Sequence, residues 1–315
     1  RRYYAFSRFL RRRFGARVAR VTIDAGFTCP NVDGTVTTGG CVYCDNRSFS
    51  PNRRLPRATF RAQVERGVAL LGPRYGADRF LAYFQAATNT HAPVERLRRL
   101  YDEALEHPQV VGLAVGTRPD SVPGPVLDLL EGYARDRYVC LELGLQSIHD
   151  RSLDWMNRGH HFDTFVDAVH RCRGRGLDVC AHVILGLPGE SRDDMLATAD
   201  ALAALPVDAV KIHNLHVVRG TPLEEMYRRG EVTLPGRAEY VGVVCDFLER
   251  LPPGMVIHRL NGDAPPDWLV APDWCRDKAG LLRDIHAELE RRDSWQGKEC
   301  RGRAPGPARV PLPLA

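Results

Sequence analysis

Cys29, Cys41 and Cys44 are the closely spaced members of a set of nine cysteines. In FTCPNVDGTVTTGGCVYCDN, residues 27–46, eleven residues separate Cys29 from Cys41 and two separate Cys41 from Cys44. Three thiolates can ligate three irons of a 4Fe-4S cube, whereas a cube held wholly by protein needs four, so one iron is left for an outside ligand. The same three can hold zinc with a water in the fourth position, or form a structural zinc site with a distant histidine. They can also be unligated core residues, and the spacing alone leaves all three readings open. Pro30, Asn31, Asp33, Gly34, Gly39 and Gly40 allow the intervening loop to fold tightly.

Other residues offer polar chemistry at the ends of apolar runs. QAATNT supplies Gln85, Thr88, Asn89 and Thr90, neutral hydrogen-bonding groups that equally suit an ordinary turn. Glu142 stands two residues before Gly144 and can face a barrel interior, where a carboxylate needs a partner. His182 is a lone strand histidine, a type that titrates at about pH 6.5 unless perturbed. His213, His216 and Arg219, with Arg118 and Asp120, follow strand-like runs and are expected to line a substrate opening.

The remaining cysteines are bland by comparison. Cys140 and Cys180 lie in strand-like runs and Cys172 and Cys245 in helical ones, as small buried hydrophobes do. Cys275, beside Trp274, reads as packing or as a second-site ligand, and with no second C-x-x-C an auxiliary cluster is not expected. Nine cysteines in 315 residues do not make a secreted disulfide framework. No apolar run reaches the ~20 residues of a membrane span, and the opening RRYYAFSRFLRRRFG lacks a signal-peptide pattern. The expectation is a soluble, cytoplasmic protein with no membrane partner. The net charge of +5 says little about partners, because 44 basic residues include only three lysines, Lys211, Lys278 and Lys298. A local cluster says more. Arg1, Arg2, Arg8, Arg11, Arg12, Arg13, Arg17 and Arg20, interleaved with Tyr3, Tyr4, Phe6 and Phe9, suit either phosphate and base contacts or an exposed amphipathic helix.

The elements that must position these groups alternate. Strand-like runs at 20–26, 79–86, 110–116, 138–146, 178–186 and 208–215 are separated by helical patterns at 57–71, 93–107, 123–135, 162–175 and 191–204. Serial β-α units make a parallel sheet, and no G-x-G-x-x-G follows the first strand to favour a dinucleotide fold. The expected fold is α/β, a partial (β/α)6 TIM-like barrel with a C-terminal α/β extension. Its parts are a basic segment at 1–18, the barrel core at 19–215, an extension at 216–295 holding helices near 236–250 and 276–292 and the strand-like MVIHRL, and a Pro- and Gly-rich tail at 296–315 expected to be disordered. The cysteine loop follows the first strand, on the face where barrels gather active sites.

With Tyr43 before its last cysteine, this loop resembles the cluster loop of the radical S-adenosylmethionine (SAM) superfamily, although the usual first gap is three residues and here it is eleven. CPNVDG, YFQAATNTHAP, GTRPD, LELGLQS, MNRGHH, AHVILGLPGES, KIHNLHVVRGTPLE and APDWCRDKAGLLRDI are together similar to the YhcC-like subfamily, over nearly the whole chain up to 298. ELGLQS and AHVILGLPG also resemble the radical SAM domain of the catalytic elongator subunit, which modifies wobble uridine in tRNA; no acetyltransferase domain follows here. The resemblance implies one 4Fe-4S cluster on Cys29, Cys41 and Cys44, SAM on the open iron, and an electron donor such as flavodoxin or ferredoxin. Where relatives hold the methionine amino group with G-G-E, this chain has QAATNT, so Gln85, Asn89 and Thr90 become candidates for SAM. Gln146 and Arg158 match SAM-binding positions of the coproporphyrinogen dehydrogenase group. His182 stands where some relatives have a ribose-binding aspartate, Ile184, Gly186 and Gly189 match a strand motif that lets backbone approach adenine, and Glu142 joins the set as a polar interior residue. The implied activity is reductive cleavage of SAM to a 5'-deoxyadenosyl radical that modifies a substrate, with RNA, tRNA in particular, as the substrate class to which the elongator likeness and the basic segment point. The competing readings are a zinc-stabilised RNA-binding protein without catalysis and a cluster-based sensor.

Overall fold

The computed structural model describes residues 2–56 and 58–300. Its centre is one all-parallel sheet built from β1 (Val18–Ile23), β2 (Arg79–Phe84), β3 (Val110–Thr117), β4 (Tyr138–Gln146), β5 (Asp178–Leu185), β6 (Ala209–Asn214) and β8 (Val256–Arg259), in that spatial order. A parallel sheet covered on both faces reads as continuous apolar runs, and all nine residues of β4 are buried. Helices α3 (Phe60–Tyr75), α4 (Val94–Leu105), α5 (Gly124–Ala134), α7 (Phe162–Cys172) and α8 (Arg192–Ala204) provide the return crossings. They pack on outward residues such as Ile23, Phe80, Phe84, Leu113 and Leu141 in one large core. The short α2 (Asn46–Phe49) and α6 (Asp150–Trp155) sit in loops after β1 and β4.

The six-unit barrel gains a seventh strand. MVIHRL is not merely packed on the barrel: β8 pairs in parallel with β6, through Ala209 with Val256 and Val210 with Ile257. The crossing that permits this runs through the two-residue β7 (Val217–Val218), α9 (Pro222–Arg228) and α10 (Arg237–Arg250), and α10 lies against α8 as a barrel helix would. After β8, β9 (Leu269–Ala271) pairs antiparallel with β7, and α11 (Lys278–Arg291) packs on α10. Sheet order ends at β1 and β8, so the barrel is open between them.

The basic leading segment closes one end of this opening. Helix α1 (Phe6–Phe14) buries Phe6, Leu10 and Phe14 in the same apolar cluster as the inward residues Leu81, Tyr83, Ala114, Tyr138, Cys140, Cys180, Ala209 and Val256. Ala5 makes a parallel bridge to Ile257, and Arg79 donates to the Phe14 carbonyl at the start of β2. The plug therefore occupies the N-terminal ends of the strands, opposite the cysteine loop. Arg8, Arg11 and Arg12 stay exposed on its outer side, and Arg13 lies over the Tyr138 ring at 5.1 Å. Arg20 leaves the patch altogether, pointing inward to Glu142.

Residues 296–300 do not join a disordered tail. Gln296 is buried, donates to the carbonyls of Pro252 and Met255 and accepts from the Tyr4 amide, tying this end of the chain to the plug. Residues 301–315, the rest of the expected tail, lie outside the described residues.

Candidate metal and cofactor site

Cys29 follows β1, and the loop to Cys44 is fixed by its own turns and by the segment after α6. Val32 and Asp33 donate amides to the Cys29 carbonyl, and the Cys44 amide to the Cys41 carbonyl. Val42 N bonds Met156 O, while Asn157 Nδ2 reaches the carbonyls of Thr38 and Gly40. At Gly159, with φ of 72°, a Cβ would lie 2.6 Å from Asn31 Oδ1 and 2.8 Å from Thr37, so glycine is what lets loop and turn touch.

The three thiols converge. Burial, then Cys41 and Cys29, push the Cys44 thiol far above its ordinary range. The buried Arg158 guanidinium sits against them, with Nη1 3.6 Å from Cys41 Sγ and Nη2 donating to the Gly144 carbonyl at 2.7 Å. Burial alone lowers the Arg158 pKa, but Cys41 and Tyr43 raise it above its usual value. Its Nε is buried without a partner, and a Cβ on Gly144 would meet Nη2 at 2.6 Å, so the cradle is shaped around this side chain. Tyr43 lies in the same pocket, its phenol raised by burial and then by Cys41. Cys29, Cys41 and Cys44 are not among the groups of the described residues whose ligand atoms lie within 4.8 Å of one another.

Asn31, read from sequence only as a loop residue, has a larger part. It is fully buried, and its Nδ2 lies 3.5 Å from Cys41 Sγ while donating to the carbonyls of Asn157 and Arg158 at 2.6 and 2.8 Å. It holds the ligand loop to the segment that presents Arg158. Strain gathers at the same end of the sheet: Ala86, Ala87, Gln146 and Asn157 all have positive φ without being glycine, a cost of roughly 1–3 kcal/mol each that persists where surroundings over-determine it. In the place of G-G-E, two alanines thus carry left-handed backbone, and Ala87 N donates to Asn46 Oδ1.

Several expected roles change. The Thr90 hydroxyl is engaged within the protein, pairing with Thr117 and the Ser121 carbonyl at 2.6 and 2.5 Å, which joins the loop after β2 to the loop after β3. Asn89 Nδ2 serves the same junction through the carbonyls of Ala86 and Gly116, and Gln85 Nε2 donates to Phe49 O. Arg118 and Asp120 do not line an opening: Arg118 is buried, bidentate to Asp120, with Nη1 on the Arg158 carbonyl at 2.8 Å. They brace the turn that carries Arg158. Gly186 is approached by protein, since a Cβ there would meet Pro235 at 2.8 Å. Ile184 packs with Val42, Leu153, Met156 and Leu187, and Arg219 is exposed.

Glu142, expected beside the cofactor, is instead the hub of the barrel interior. One carboxylate oxygen meets Lys211, Tyr83 and His182, each at 2.8 Å; the other meets His258 at 3.3 Å and Arg20 at 3.4 Å. Burial raises its pKa, yet Lys211 and the histidine bonds outweigh this and hold it well below the carboxylate range. Burial lowers Lys211 to about 8, against the pull of Glu142, and lowers His182 and His258 to about 4. His213 packs on His182 with ring centroids 5.5 Å apart, and His216 Nδ1 donates to the Asn214 carbonyl at 3.2 Å. Tyr83, Lys211 and His258 escaped the sequence reading, although Lys211 had a signal in being one of three lysines.

With this geometry in view, comparison with known proteins is specific. A model of the radical SAM superfamily matches residues 34–202, and one of the Radical_SAM C-terminal domain matches 207–291. Protein YhcC of Escherichia coli K12 is 40% identical over 85% of this chain and 86% of its own length. The tRNA uridine(34) acetyltransferase of Dehalococcoides mccartyi is 30% identical over 54% of this chain but only 37% of that protein. The solved structure of an N-terminally truncated Elp3 from the archaeon Methanocaldococcus infernus superposes with a TM-score of 0.66 at 20% identity, covering 89% of this chain and 64% of that one.

Proposed function

The chain belongs to the radical SAM superfamily, with a 4Fe-4S cluster and SAM as cofactors, and we propose that Cys29, Cys41 and Cys44 hold the cluster while Arg158 receives the SAM carboxylate. The observation that carries this reading is the convergence of three loop thiols on a buried guanidinium with an unpartnered Nε. When bound, the reduced cluster supplies one electron to SAM, releasing methionine and a 5'-deoxyadenosyl radical that takes a hydrogen atom from the substrate. The protein's part is to bind, orient and exclude water. A guanidinium matches a carboxylate in shape and charge. Tyr43 and Gln146 flank the same space, and the apolar group of Val42, Ile184 and Met156 keeps it dry. Gln85, His182 and Gly186, each half-buried, remain SAM contacts in this proposal, and Asn89, fully buried, enters it only through its unpartnered Oδ1. Anaerobically reconstituted protein reduced with dithionite is expected to convert SAM into 5'-deoxyadenosine. Stoichiometric iron and sulfide without that product, under several reductants, overturns the reading.

The same reading takes a one-electron donor of the flavodoxin or ferredoxin class, a cytoplasmic setting and tRNA as substrate. Among the described residues no helix is long and apolar enough to cross a membrane. Support for RNA comes from the tRNA-modifying relative and from Arg8, Arg11 and Arg12, exposed on the plug. These arginines and the cysteine loop sit at opposite strand ends, about 20 Å apart for six residues at ~3.3 Å each. A macromolecule spans that distance; a free nucleotide does not. Replacing Arg8, Arg11 and Arg12 by alanine is expected to weaken tRNA binding and flatten its log–log salt dependence by about one unit per lost phosphate contact, with RNA-free SAM cleavage unchanged. Unchanged binding by the triple variant removes the plug from the RNA surface.

A further inference from the structure

Cations outnumber carboxylates inside the half-barrel. Arg20 of β1, Lys211 of β6, Arg259 at the end of β8 and Lys278 at the start of α11 share this space with Glu142 and Asp263. Only the Lys211–Glu142 pair is close, at 2.8 Å. Arg20 stands 3.4 Å from Glu142, and Arg259 and Lys278 stand 3.4 and 3.3 Å from Asp263. The four cations also act on one another: Arg20 and Arg259 both push Lys211 down, and both push Lys278 down. His182, His213, His216 and His258 stand among them, and burial lowers each, so they add no charge at neutral pH. Four cations less two carboxylates leaves a formal balance of +2.

This excess is not sealed in. The side chains of Arg20, Arg259 and Lys278 keep 22%, 29% and 44% of their exposure, and Arg20 and Arg259 belong to β1 and β8, the two edge strands of the sheet. His213 Nε2, in the same cluster, is buried without a hydrogen-bond partner. Two of the three lysines of an arginine-biased chain also fall here, and a lysine offers a compact charge on a flexible stem where arginine offers a planar fork. Like charges gathered in a low-dielectric space are costly unless an opposite charge joins them.

We propose that this chamber binds a compact oxyanion, a carboxylate or phosphate carried by the substrate, on Arg20, Arg259 and Lys278 with the neutral His213 imidazole beside them. The inference rests on the radical SAM reading only in making that anion part of the molecule to be modified. The anion-binding site itself is a property of the chain.

Calorimetric titration of the reconstituted holoprotein, saturated with SAM, with inorganic phosphate and separately with acetate tests it. One saturable site per chain is expected, and the tighter of the two probes tells phosphate from carboxylate. Arg259→Gln with Lys278→Gln is expected to weaken that site by about ten- to a hundred-fold, as lost charge-assisted hydrogen bonds do. Asp263→Asn, which removes a competing carboxylate, is expected to tighten it, and so guards against a double variant that merely folds badly. No saturable binding to the SAM-saturated protein, or unchanged affinity in both variants, overturns the proposal. If 5'-deoxyadenosine forms but no anion binds, the chamber is wrong and the enzyme reading stands. If the anion binds and SAM is never cleaved, the reverse holds.

Discussion

Cys41→Ala is expected to lose most of the iron and acid-labile sulfide that the wild-type chain takes up on anaerobic reconstitution. The substitution removes one of only three protein thiolates from a cube that already has an iron without a protein ligand. It removes more than a bond to metal. Asn31 Nδ2 and Arg158 Nη1 both point at Cys41 Sγ, so alanine leaves two buried donors facing a methyl group. Cys29 and Cys44 are each less buried than Cys41. On the proposed assignment, the sulfur at position 41 joins the cluster to Arg158, the guanidinium proposed to receive SAM. The fold should survive, because the loop is held by Asn31 and Asn157 through backbone carbonyls that the substitution does not touch. The checks are iron and sulfide per chain, visible absorption, and a thermal midpoint near wild type. A normal cluster in a folded Cys41→Ala protein means that another residue is the third ligand. Arg158→Ala gives the contrast, keeping its iron while SAM binding weakens.

The β-α order was legible because each strand here is an apolar run with β-branched or aromatic residues and each crossing is amphipathic at the helical period. Predicted and observed bounds of β4, Tyr138–Gln146, coincide. β8 was harder. Four residues, VIHR, with two of them only half-buried, do not announce that they extend a parallel sheet rather than decorate it; pairing with β6 is decided by tertiary contact, which local pattern does not encode. At the site, spacing marked the three cysteines. It had no means of separating Arg158, whose guanidinium reaches Cys41, from Arg118, which is buried and braces Arg158 through one hydrogen bond to its carbonyl. Both are single arginines after strands. Glu142 was legible as a polar interior residue, but its five partners come from β1, β2, β5, β6 and β8, and no local window contains them.

Glu142→Ala is expected to destabilise the fold by about 3–5 kcal/mol, the cost of breaking a buried charge pair from one side. Lys211 then keeps a buried ammonium with Arg20 and Arg259 nearby and no carboxylate against it. The pH dependence distinguishes this cause from simple loss of volume. Burial has already lowered Lys211 to about 8 in the wild type, below its ordinary 10.5, and Glu142 is what keeps it from falling further. Between the folded and unfolded pKa the unfolded chain binds the extra proton, so stability rises with pH across that window. In wild type the rise attributable to Lys211 begins near pH 8. In Glu142→Ala the folded pKa drops and the window opens at lower pH, so the deficit against wild type shrinks as pH rises from the variant's lower pKa to about 8 and is constant above that, where both proteins gain stability alike. Glu142 itself contributes in the opposite sense on the acid side: its depressed pKa gives wild type stability that is present above the ordinary carboxylate range and lost as pH falls through the folded value. The difference between the two proteins is therefore expected to be largest above the ordinary carboxylate range and below the pH at which Lys211 of the variant loses its proton, and smaller on either side. Urea unfolding from pH 4 to pH 9 measures it, and a deficit that stays flat across that range means that Lys211 is not the charge left stranded.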